Sequence, residues 1–107
     1  MQLSVKVSKT DGTPRFACRG KLLRGEESDY LFELVTRPDR GDVVLDLEEL
    51  SSFDQEALST IVLCHEVLWS TKRKLFVRNA PAEMLLEFSR RQSEAGPLAK
   101  SEAEVSF

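Results

Sequence analysis

The chain has 107 residues, 41% of them hydrophobic and 31% charged, which supplies one modest core and a solvated surface and excludes a disordered segment. Lys and Arg total 15 against 18 Asp and Glu, and the resulting charge of −3 lacks the broad positive field that nucleic acid or an anionic bilayer would require. A single domain over residues 1–107 is expected.

The elements are legible in chain order. Leu3, Val5 and Val7 alternate with Gln2, Ser4 and Lys6, the pattern of a strand with one buried face, and Asp11-Gly12 then supplies a hairpin turn. A second strand runs from Pro14 to Arg19, with Phe16 and Cys18 on one face, and Gly20 is expected to break it. Leu31, Leu34 and Val35 fall at helical spacing behind Glu26, Glu27 and Asp29, acids that suit the positive end of a helix dipole, so a first helix is predicted up to Pro38. Arg40-Gly41 makes a short connection. Val43-Val44-Leu45-Asp46-Leu47 is the nearly continuous apolar run of a central strand covered on both faces. A loop through Ser51, Ser52 and Phe53 follows.

Leu58, Ile61, Val62, His65, Leu68 and Trp69 recur at helical spacing, and Asp54 stands where an N-cap belongs. Lys74 to Arg78 reads as another buried strand. Ala80-Pro81 opens a third helix with Pro81 at its first position, and its apolar face is Met84, Leu85 and Phe88. The polar stretch from Ser93 to Lys100 reads as flexible, and Glu102 to Phe107 alternates as an edge strand would. The predicted fold class is therefore a small α/β sandwich, a mixed sheet of about four or five strands with helices packed against it. No apolar run is long enough to span a bilayer and the N-terminus lacks the stretch typical of a signal peptide, so a cytoplasmic protein without direct membrane insertion is expected.

Chemistry is scarce. No glycine-rich phosphate loop, nucleophile elbow or zinc-protease motif is present, and no cofactor is expected. With His65 the sole histidine and Cys18 and Cys64 the sole cysteines, the chain cannot complete a tetrahedral zinc site from those residues, and no metal is expected. The cysteines read as small buried hydrophobes of a reducing compartment. Cys64 and His65 are the one tempting catalytic pair, but neighbours on a helix point about 100° apart, and His65 on the apolar stripe reads as a hydrogen-bonded core residue. Glu48 and Glu49, placed on a loop, read as solvated. Trp69, Met84 and Phe88 read as packing, and Lys72-Arg73-Lys74 as a solvated turn.

The informative segment is Asp42 to Trp69, where a buried strand delivers an acidic residue to a helix N-terminus. Unpaired backbone N–H groups and the dipole meet there, so an added charge would have a large effect on binding. Val43-Val44-Leu45-Asp46-Leu47, then Leu50-Ser51-Ser52-Phe53-Asp54, then Ala57-Leu58 resembles a STAS domain, the fold of bacterial anti-sigma factor antagonists, which have an apolar strand, a short loop and Asp-Ser-Ser-Gly-Leu or Asp-Thr-x-Gly at the helix start. Gly20-Lys21-Leu22 resembles that family's Gly-Glu-Leu step, and Lys74 to Phe88 its following strand and helix, so the likeness covers most of Met1 to Arg91.

The resemblance implies a non-enzymatic partner-switching module of transcription regulation. Its protein partner would be an ATPase-fold anti-sigma factor, met through Ser52, Phe53, Asp54, Gln55, Glu56, Ala57 and Leu58. Asp54 matches the aspartate of the motif. Gln55 takes the position of the phosphoacceptor, and an amide has no hydroxyl to receive a phosphoryl group. Glu56 adds permanent negative charge, and Ala57 replaces the common glycine, favouring helix by roughly 1 kcal/mol. Two readings of Gln55 stay open: a fixed mimic of the unphosphorylated, partner-binding state, or a first-turn residue in a chain that has abandoned phosphorylation. Ser51, Ser52, Ser59 and Thr60 are substitute acceptors on the same reasoning, though capping explains each. The resemblance also admits a cytoplasmic accessory subunit of a lipid-transporting ABC system, and a nucleotide-binding role for which no phosphate cradle exists.

Overall fold

The computed structural model describes residues 1–38, 41–95 and 104–106. Arg40 of the connection before the third strand, and 96–100 of the polar stretch read as flexible, lie outside the described residues, while the start of that stretch, Ser93 to Ala95, is helical. The order is β1 (Leu3–Thr10), β2 (Thr13–Leu22), α1 (Glu26–Thr36), β3 (Val43–Phe53), α2 (Gln55–Trp69), β4 (Leu75–Arg78), α3 (Ala82–Ala95) and β5 (Glu104–Ser106).

The strands form one five-stranded sheet in the order β1-β2-β3-β4-β5. The hairpin β1–β2 and the edge pair β4–β5 are antiparallel, whereas β2–β3 and β3–β4 are parallel and joined by α1 and α2. Asp11 and Gly12 both have positive φ, 53° and 82°, as a two-residue hairpin turn matched to the strand twist demands. Because the parallel strands step in one direction and such crossovers are right-handed, both helices fall on the same side of the sheet.

Burial follows from that arrangement. Leu3, Phe16, Cys18, Leu22, Val43, Leu45, Leu47, Leu75 and Val77 face the helical layer and are buried, opposite Leu31, Val35, Leu58, Ile61, Leu68, Met84 and Phe88. Each such aliphatic removed from water contributes about 1.5–3 kcal/mol before entropy is counted. β3 is central, as expected, but helices do not cover its second face. There Val44 is half-buried, and Asp46 is buried by its own hydrogen-bonding partners.

Asp46 is 4% exposed and is clamped across the sheet. Arg15 on β2 forms an ion pair with it, Asn79 donates to Oδ1 at 3.1 Å, and the Glu48 N–H donates to the same oxygen at 3.0 Å. Burial pulls its pKa upward, and the Arg15 bond, the Glu48 N–H and the Asn79 amide together outweigh that and hold it below the ordinary carboxylate value. Glu27 is also turned inward rather than serving only the α1 dipole. Its Oε2 accepts the Gln2 backbone N–H at 2.9 Å, and that bond holds its carboxyl low.

Several sequence expectations are corrected. Gly20 does not end β2. It adopts φ 104° inside a strand that continues to Leu22, and register shifts on either side of it place extra residues on β3. Glu48, Glu49, Ser51, Ser52 and Phe53 accordingly belong to β3 and not to a loop. Pro81 caps α3 from outside, its carbonyl accepting the Leu85 N–H at 3.0 Å. Trp69 is not core: it is 53% exposed, while Met84 and Phe88 are buried as expected. His65 is half-buried and stacks on Trp69 with ring centroids 6.3 Å apart.

Candidate functional site

β2 and β3 end side by side, with Lys21 opposite Ser52 and Leu22 opposite Phe53. The chain passes from Phe53 into α2 through Asp54 alone, in extended conformation at φ −116° and ψ −177°. The Asp54 carboxylate does two things at once. Oδ1 accepts the Ala57 N–H at 3.0 Å, closing the first turn of α2, and Oδ2 accepts the Arg24 N–H at 2.9 Å. Its own N–H donates to the Leu22 carbonyl at 3.4 Å. One residue therefore fixes the end of β2, the link into α1 and the start of α2. The cap was readable from sequence; the bond to Arg24 was not, because it joins residues 30 apart.

The residues expected to meet a partner divide by exposure. Ser52, Gln55 and Glu56 are exposed, and Phe53 and Asp54 are half-buried. Ala57 and Leu58 are fully buried and hold α2 on the core, so their part in any contact is to fix the helix that presents the others. Of the alternative hydroxyls, Ser51 Oγ donates to the Gly20 carbonyl at 2.9 Å, and Ser59 Oγ reaches back to the Gln55 carbonyl at 3.5 Å. Beside this helix start a shallow groove of about 310 Å³ runs between Leu50–Phe53 and Pro81–Glu83. Glu56 is the acid of the first turn, where the dipole favours it.

Loss of the cap is measurable on its own. Asp54→Ala should cost about 1–2 kcal/mol, read as a lower urea midpoint at unchanged slope. An unchanged midpoint would mean the carboxylate does not hold the helix start.

The alternative catalytic pair lacks an accessible nucleophile. Cys64 is wholly buried and burial pushes its thiol up to about 12; Cys18 is likewise raised to about 12, by burial first and then by the Asp46 charge. A thiol so placed is hardly ever a thiolate at neutral pH. Neither cysteine should react with iodoacetamide in the folded protein, and both should react in denaturant. Rapid alkylation of Cys64 under native conditions would contradict its burial. Glu48 and Glu49 are exposed on β3, Glu49 lying 4.0 Å from Arg19. Among the described residues no group of His, Cys, Asp and Glu is arranged to hold a metal ion, and no helix is long and apolar enough to cross a membrane.

No protein-family model and no curated protein matches the chain by sequence. Solved structures do match in fold. The anti-sigma factor antagonist SpoIIAA in its unphosphorylated form superposes with a TM-score of 0.66 at 14% identity, over 92% of this chain and 91% of that one. An anti-sigma factor antagonist from Mycobacterium paratuberculosis superposes with a TM-score of 0.64 at 14% identity, over 94% of this chain and 87% of that one. The fold is thus the STAS fold that the strand, the helix start and the element order resemble.

Proposed function

We propose that this domain is a non-enzymatic, cytoplasmic antagonist of an anti-sigma factor, binding an ATPase-fold partner at the junction of β3 and α2 and releasing the sigma factor by sequestration. The observation that carries the reading is the Asp54 junction. A helix start tied to two other segments by one carboxylate is a rigid platform, and it presents Ser52, Gln55 and Glu56 to solvent. Rigid presentation lowers the ordering cost of association. The fold shared with anti-sigma factor antagonists supports the partner class.

Gln55 is the first residue of α2 and its amide accepts no phosphoryl group, so binding at this site is not switched by phosphorylation there. A phosphate at that position would add about −1.5 to −2 charges beside Glu56; the chain keeps one fixed state instead.

Because Asp54 is structural, substitution of Asp54 cannot separate binding from folding. The exposed pair can. Tagged wild type and Gln55→Arg/Glu56→Arg are used as baits in native lysate, with folding checked by circular dichroism. Capture of an ATPase-fold anti-sigma factor by wild type and its loss from the folded variant is expected. Capture of membrane-transport ATPase subunits in its place, or equal capture by both baits, would overturn the reading.

A further inference from the structure

β1 is one edge of the sheet, and among the described residues nothing pairs with its outer side. The hairpin fixes the direction of its backbone groups. The two-residue turn makes Thr10 and Thr13 a hydrogen-bonded pair, and at the other end of the hairpin the Lys21 N–H donates to the Gln2 carbonyl at 2.9 Å. Bonded and non-bonded positions alternate along an antiparallel ladder. Ser4, Lys6, Ser8 and Thr10 therefore turn their N–H and C=O groups toward β2, and Val5, Val7 and Lys9 turn theirs to the open edge.

Sheet edges are commonly blunted by shortness, a proline, a bulge or a covering element. β1 has none of these: it runs for eight residues, holds no proline and keeps unbroken register with β2. The helical layer stops short of it, since along its inner face Leu3 is buried, Val5 half-buried and Val7 54% exposed. What guards the edge is charge. Lys6 and Lys9 on β1 and Arg15, Arg19 and Lys21 on β2 are the charged side chains of the two strands, and Asp11 in the turn is the hairpin's one acid. Arg15 is paired with Asp46 and Arg19 lies 4.0 Å from Glu49, whereas among the described residues no ion pair engages Lys6 or Lys9. A second copy paired edge to edge would gather Lys6 and Lys9 of both chains at one seam, which like charges disfavour.

We propose that the β1 edge takes up an extended segment of a partner protein as a further strand, and that this segment is both acidic and apolar. Its backbone bonds Val5, Val7 and Lys9, its apolar side chains cover Val5 and Val7 on the helical side, and acids three residues apart stand beside Lys6 and Lys9. The contact does not involve the Asp54 junction, and neither reading depends on the other.

The probe is a blocked synthetic peptide of valines and threonines with two glutamates three residues apart; a counterpart carries lysines in place of the glutamates. Saturating glutamate peptide should slow hydrogen exchange at the Val5, Val7 and Lys9 amides tenfold or more, and the lysine peptide should leave them unprotected. Lys6→Glu/Lys9→Glu, with unchanged circular dichroism, should weaken binding of the glutamate peptide tenfold or more and favour the lysine peptide instead. A proline at the centre of the glutamate peptide removes a ladder donor and should abolish binding. Unprotected amides at millimolar glutamate peptide, equal binding of the glutamate and lysine peptides, or full binding of the proline peptide would overturn the inference and leave the helix-start contact intact. Protection of the same amides that grows with the protein's own concentration, together with a doubled mass by light scattering, would assign the edge to a second copy and overturn it likewise.

Discussion

Gly20→Ala should unfold much of the population at moderate temperature. An added Cβ would stand 2.2 Å from the Gln2 carbonyl oxygen, which is backbone held in place by the Lys21 N–H at 2.9 Å. The residue also sits at φ 104°, a region that an L side chain rarely adopts. Strain at the dihedral and overpacking at the contact each cost about 1–3 kcal/mol, so a loss of about 3–5 kcal/mol is expected, lowering Tm by at least about 12 °C in a domain of this size. The carbonyl of Gly20 also receives Ser51 Oγ, so the damage should spread toward the β3 end and the candidate site. A thermal scan with Gly20→Ala near the wild-type Tm would show that β1 can move away and that the close approach is dispensable.

Arg15→Met should destabilise by about 1–3 kcal/mol, the usual cost of stranding a buried charge reduced because Arg15 is itself partly open to solvent. The side chain of Asp46 is 5% exposed against 37% for Arg15, so the aspartate suffers from the broken pair. The sign with pH is fixed by the lowered pKa of Asp46. A carboxylate held lower in the folded than in the unfolded chain contributes stability that is fully present above the unfolded value and is lost as pH falls through the folded one. Wild type should therefore hold its stability down to roughly pH 4 and lose it below. In Arg15→Met burial acts against fewer stabilising partners, the folded pKa rises and acid unfolding begins at higher pH. An acid midpoint identical to wild type would mean that the Asn79 and Glu48 donors alone hold Asp46 ionised.

How much of this was legible depends on how local each cause is. The hairpin turn at Asp11-Gly12 and the cap at Asp54 follow from neighbouring residues, and their positions agree with the sequence reading; of the apolar stripe read on α2, Leu58, Ile61 and Leu68 are buried, whereas Val62 and His65 are half-buried and Trp69 is exposed. In the sequence β3 ends at Leu47, because the nearly continuous apolar run fails at Glu48-Glu49. That failure is the signature of extra residues in the ladder opposite β2, and only the pairing shows that the strand resumes and reaches Phe53. Gly20 was read as a breaker for a related reason: a glycine signals close approach as readily as a stop, and the approaching Gln2 lies across the hairpin.

Trp69 falls on a helical repeat yet faces outward, since the repeat of large residues cannot distinguish a core from an interface. The candidate site was located by its acid and its helix start. Which of its residues face solvent was not legible, because Ala57 and Leu58 lie one turn into the same segment as Gln55 and Glu56 and differ only in direction.

The binding surface proposed for an ATPase-fold anti-sigma factor is the exposed start of α2, held in a fixed state. The most direct test is the Kd of that purified partner for wild type and for Gln55→Arg/Glu56→Arg, measured by calorimetry on proteins of equal Tm. The variant is expected to lose at least tenfold in affinity, about 1.4 kcal/mol. Equal affinities would contradict it and move the binding surface away from this helix start.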